Sequence, residues 1–95
     1  MSDNYSKGVF RMYPVNTPQQ LRTILRTLRQ SRKLTQAQLG ERLGVTQKRI
    51  AQIEAAPEVT SFDQISRMVT AMGCTLIIRE PVVSYGISEA VTNSW

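Results

Sequence analysis

Leu34-Thr-Gln-Ala-Gln-Leu-Gly-Glu-Arg-Leu-Gly-Val-Thr-Gln-Lys-Arg-Ile-Ala-Gln-Ile-Glu54 is the stretch that decides the fold. Thr35 stands where a helix N-cap is wanted, its hydroxyl able to accept from a first-turn backbone N–H. Leu39 and Leu43 follow at helical spacing as core anchors. Gly44 then offers the residue type that a helix end wants in the left-handed region, and Val45 plugs the turn. A second short helix starts at Thr46 and runs to about Glu54, with Ile50 and Ile53 inward. That leaves Gln47, Lys48, Arg49 and Gln52 for the exposed side. Gly40 is unexpected inside the first of these helices, where glycine costs roughly 1 kcal/mol against alanine. Close approach of the neighbouring helix accounts for it.

Working outward, a preceding helix has a clear start: Thr17 as N-cap, Pro18 at the first helical position, and Gln20 completing a capping box. Leu21, Ile24, Leu25 and Leu28 face the core. Arg22, Arg26, Arg29 and Lys33 make a basic stripe on the same helix, readable as a solvated face or as phosphate attraction. After a loop over residues 55–60, Ser61 caps a fourth helix with Gln64 at the capping-box position. Phe62, Ile65, Met68, Val69 and Met72 build its apolar face, and Gly73 ends it. The spacing of Met68 and Met72 reads as core rather than as an adaptable binding surface.

The expected fold class is therefore all-α: a four-helix domain over residues 17–73, preceded by a loose arm at residues 1–16 in which Val9–Tyr13 forms a short strand or a hydrophobic latch. Cys74-Thr-Leu-Ile-Ile-Arg-Glu80, closed by Pro81, is the one strong β-type run, and residues 74–81 form a dimerisation strand. A lone strand leaves its ladder groups unpaired. The economical solution pairs Thr75, Leu76, Ile77, Ile78 and Arg79 with the same residues of a second chain, giving an antiparallel ribbon across a homodimer axis. The alternative partner is the Val9–Tyr13 segment. Residues 82–95 lack periodicity and are expected to form a flexible tail.

Composition narrows the function. Ninety-five residues, 41% of them hydrophobic, make one modest core, and a domain this small gains from a dimer interface. One cysteine and no histidine exclude a disulfide within the chain, the usual zinc spacings and histidine acid–base chemistry. No constellation of nucleophile, base and metal ligand is visible, so neither an enzyme nor a cofactor is expected. No apolar stretch reaches the ~20 residues that span a bilayer. The N-terminus lacks the pattern of a signal peptide. A cytoplasmic chain with no membrane partner is expected. The net charge of +5 is unevenly spread. Residues 11–49 hold nine basic residues against Glu41 alone, a net of +8, whereas residues 50–95 carry a net of −3. A basic half beside a mildly acidic half suits a polyanion on one side only.

Two short helices, a tight turn and a polar, basic opening to the second helix are the layout of a helix-turn-helix, whose second helix enters the DNA major groove. Gln36, in the first turn of its helix, is placed to hold a phosphate oxygen, helped by the helix N-terminal partial charge. Thr46 and Gln47 open the second helix, the end that reaches base edges. Gln47 suits adenine; Lys48 or Arg49 suits guanine N7 and O6. Gln52 lies farther along, toward base or backbone. Glu54 can accept from cytosine N4, but its position at the far end of the helix favours a local structural partner. Trp95 is either an anchor for a partner protein, since tryptophan is enriched at binding hot spots, or an exposed or folded-back aromatic.

The quoted stretch resembles the helix-turn-helix of the Cro/C1 (Xre-type) repressors through Leu34-Thr-Gln, Leu39, Leu43-Gly-Val-Thr46, Ile50 and Ile53-Glu54. Gly40 departs from the usual alanine. The order of a fourth helix, a lone strand and a short tail ending in tryptophan is similar to the HipB-type antitoxins of HipBA toxin–antitoxin modules. The resemblance implies that Thr75–Arg79 pairs across a dimer. It implies that the dimer binds double-stranded operator DNA upstream of its own operon, and that Trp95 docks on a HipA-type serine/threonine kinase toxin. The arm at residues 1–16 is longer than that family's leader. The rival expectation is a free-standing, phage-type repressor with no toxin partner.

Overall fold

A hydroxyl opens each helix. The computed structural model of the protein describes residues 10–82, and within them Thr17, Thr35, Thr46 and Ser61 each accept from the backbone N–H three residues on. The helices that follow are α1 (Pro18–Ser31), α2 (Gln36–Leu43), α3 (Gln47–Ala55) and α4 (Phe62–Ala71), with a 3-10 turn at Pro57–Val59. Thr17 and Thr35 complete reciprocal capping boxes with Gln20 and Gln38. A cap contributes on the order of 1 kcal/mol, which matters because α2, α3 and α4 have 8, 9 and 10 residues and helices this short are marginal alone.

The turn between α2 and α3 is closed at Gly44, which has φ 72. There Val45 N–H donates to the Gly40 carbonyl at 2.9 Å and Gly44 N–H to the Glu41 carbonyl at 3.3 Å. This pair of bonds satisfies carbonyls that a helix end leaves free, and glycine enters the left-handed region without a Cβ penalty. A Cβ on Gly40 would lie 2.6 Å from the Val45 carbonyl oxygen and 3.3 Å from the Thr46 backbone. The close approach at Gly40 is thus made by the turn backbone that leads into α3, rather than by the body of the neighbouring helix.

At the end of α1 the same pair of bonds runs from Leu34 N–H to the Arg29 carbonyl (3.2 Å) and from Lys33 N–H to the Gln30 carbonyl (2.9 Å). Here the left-handed position, φ 57, is held by Lys33. A non-glycine residue in that region costs about 1–3 kcal/mol, part of which glycine would return to unfolded-chain entropy. Lys33→Gly is therefore expected to raise stability by up to about 1 kcal/mol, read as a higher urea midpoint at unchanged slope. A lower midpoint would contradict this.

Leu25, Leu39, Ile50, Ile53 and Met68 are fully buried, and Leu28, Leu34, Ile65, Val69 and Met72 complete the core. Each helix contributes a stripe: α3 packs on α2 and α1, and α4 on α2. Phe62 corrects the expected apolar face of α4, because it is 73% exposed. It occupies the first helical position, at the same end as the exposed Val59, where the stripe runs past the core.

Among the described residues there is no strand, and 10–16 and 74–82 carry no regular structure. The run expected to pair instead leaves Ile77 and Ile78 78% and 98% exposed in the single chain. Among the described residues, one side-chain hydrogen bond links it to its alternative partner, Arg79 Nη1 to Met12 Sδ at 4.0 Å. Residues 1–9 and 83–95, with most of the expected tail and Trp95, lie outside the described residues. No helix among the described residues is long and apolar enough to cross a membrane.

Candidate nucleic-acid interface

The inner side of α3 is sealed by Ile50, Ile53 and Glu54, all buried. Its other side presents Thr46, Gln47, Lys48 and Gln52, all exposed, with Arg49 half-buried beside them. No acidic residue stands in the first turn of α2 or α3. The N-terminal partial charge of α3 is therefore left open to an anion, whereas the first turn of α2 already meets the Glu54 carboxylate through Gln36.

Gln36 and Arg49, both singled out from the sequence, are engaged within the fold. Gln36 Nε2 donates to Glu54 Oε1 at 3.1 Å. Arg49 Nη1 donates to Gln52 Oε1 at 3.4 Å, and Arg49 Nη2 to Gln64 Oε1 on α4. Gln64 is a neighbour of the site that sequence reasoning placed only in a cap.

The far end of α3 is tied down by a buried ion pair. Arg29 Nε lies 2.5 Å from Glu54 Oε2, with side chains 12% and 3% exposed. Arg29 Nη2 reaches Glu54 Oε1 at 3.3 Å, and Nη1 reaches the Leu34 carbonyl at 2.9 Å. One carboxylate thereby joins the C-terminal end of α1, the first turn of α2 and the end of α3. Glu54 is a structural partner, but of Arg29 and Gln36, 25 and 18 positions away on other helices, rather than of a local residue.

The basic residues divide accordingly. Arg29 belongs to Glu54. Arg32 Nε caps the end of α4 at the Met72 carbonyl (2.7 Å), and Arg42 Nη1 reaches the Ala71 carbonyl (3.3 Å). Arg22 stands 3.8 Å from Glu58. Arg26, Lys33 and Lys48 are exposed and, among the described residues, make no ion pair. The basic stripe of α1 is therefore part scaffold and part open charge, a division that neither reading of the sequence contained. The partners of Arg29, Arg32 and Arg42 lie 25, 40 and 29 residues away, and no local spacing signals them.

Residues 25–78, more than half of the chain, match the helix-turn-helix family. The chain belongs to that family, in its Cro/C1 (Xre) type, and its domain is that of a DNA-binding transcription regulator. Compared with curated proteins and with solved structures, it finds no match.

Proposed function

We propose that the protein is a homodimeric, sequence-specific repressor that reads operator DNA with α3, and that it is the antitoxin and autoregulator of a HipA-type kinase toxin. The observation that carries the DNA reading is the division of α3 into a sealed face and an exposed polar one, opening at an uncompensated helix N-terminus. Gln47 and Lys48 are the direct readers, Thr46 and Gln52 flank them, and Arg49 reads guanine with the donors its internal bonds leave over. Gln36, while bonded to Glu54, keeps its second amide N–H to donate to the phosphate backbone. Pairing of Thr75–Arg79 across a two-fold axis sets two copies of α3 about one helical turn of DNA apart. The unpaired apolar run in the single chain supports that pairing.

Gln47→Ala is expected to weaken binding to DNA from upstream of its own gene by about 1–3 kcal/mol, with scrambled DNA little affected. Equal losses on both would remove Gln47 from base reading. Arg26→Ala is expected to leave sequence preference intact and to reduce the salt slope by about one; an unchanged slope would show that Arg26 touches no phosphate.

The toxin reading rests on the resemblance in element order and on Trp95. It expects a kinase gene in the same operon whose product co-purifies with this chain and is lost on Trp95→Ala. A kinase held equally well without Trp95 would sink the docking role. An operon with no kinase gene would leave the free-standing repressor.

A further inference from the structure

Three helices open on the same pattern, a hydroxyl residue followed three positions later by glutamine: Thr17/Gln20, Thr35/Gln38 and Ser61/Gln64. In two of them the glutamine returns to its own cap. Gln20 Oε1 accepts from Thr17 N–H at 3.0 Å, and Gln38 Oε1 from Thr35 N–H at 2.8 Å. At α4 only half of the box exists. Ser61 Oγ accepts from Gln64 N–H at 3.2 Å, but Gln64 Oε1 is turned to α3 and accepts from Arg49 Nη2. The cap of α4 is thus incomplete where its glutamine holds a side chain of the DNA-facing helix.

We propose that Gln64 is a positioning residue for DNA recognition, holding the Arg49 guanidinium in place beside the reading face of α3. This rests on the DNA reading proposed above. Arginine is among the side chains richest in rotamer freedom, so a free arginine loses affinity when DNA orders it. Arg49 is held from two sides, by Gln52 one turn along its own helix and by Gln64 across the helix pair. Of its five N–H donors, two are used in these bonds. Nε–H and one N–H on each terminal nitrogen remain, enough for the two parallel bonds that guanine O6 and N7 accept. Gln64 acts without touching DNA, and its contribution is pre-organisation.

The test is a double-mutant cycle of Gln64→Ala and Arg49→Ala, with anisotropy titrations at low salt on upstream and scrambled DNA and a melting curve for each variant. Because the cap bond from Gln64 uses backbone N–H, Gln64→Ala keeps it. Gln64→Ala is expected to lose about five- to tenfold in affinity for upstream DNA, the effect of immobilising one long side chain. Binding to scrambled DNA and the melting temperature stay unchanged. In the Arg49→Ala background the same substitution has no further effect. An equal loss in both backgrounds, or no loss with a wild-type chain that discriminates, overturns the proposal. A wild-type chain that does not discriminate overturns the DNA reading and this inference with it.

Discussion

Glu54→Ala is expected to destabilise the domain by about 3–5 kcal/mol, because removing one member of a buried ion pair strands the other charge. Here the stranded group is the Arg29 guanidinium, 12% exposed. Arg29 would retain only its bond to the Leu34 carbonyl, and Gln36 would lose its acceptor as well. Small domains hold roughly 5–15 kcal/mol in all, so much of the margin goes. Urea unfolding by circular dichroism reads the loss. The pair itself is less valuable than its breakage suggests, since an apolar replacement of both partners is often neutral or stabilising. Arg29→Met with Glu54→Leu is accordingly expected to recover most of the loss. A single mutant within about 1 kcal/mol of wild type, the range of an exposed pair, would show that the network is not closed in solution.

Ile77→Pro tests the proposed dimer at a place where the single chain has nothing to lose. Ile77 is 78% exposed and makes no contribution to the helical core. Proline removes a ladder N–H and is excluded from the middle of a paired strand. The expected result is a halved mass in solution with unchanged helix content. Affinity for a two-half-site operator should fall by roughly 10²- to 10⁴-fold, because the second α3 no longer binds at the effective concentration that linkage provides. A variant that remains dimeric would move the interface away from residues 75–79. A variant that becomes monomeric yet binds unchanged would mean one domain suffices.

What could be read from the sequence follows the range of the interaction. Thr17, Thr35 and Ser61 were legible as caps because an N-cap bond spans three residues, whereas Thr46 was read as the first residue of its helix and proves to be its cap. Gly44 was legible because a left-handed helix end depends on one residue. Leu25, Leu39, Ile50 and Ile53 were legible from helical period alone. Phe62 shares that period and is nonetheless exposed, since periodicity names a face without saying where along it the neighbours stop. The same limit hid the division of the arginines. In the sequence Arg26 and Arg29 are equivalent members of one stripe, and only the approach of Glu54 makes one scaffold and leaves the other open. Gln64 was read as a cap residue because its spacing from Ser61 is correct; Arg49, 15 residues earlier, takes its carboxamide. The exposed polar face of α3 was legible as a set of residues, but which of them are already held by the fold was not.

The most direct measurement is an anisotropy titration of the protein on DNA from upstream of its own gene, against a scrambled duplex, at two salt concentrations. The account predicts a gap of ~10³-fold or more that survives the higher salt. Equal affinity for both duplexes, collapsing together as salt rises, would reveal only a basic surface and would contradict sequence reading by α3.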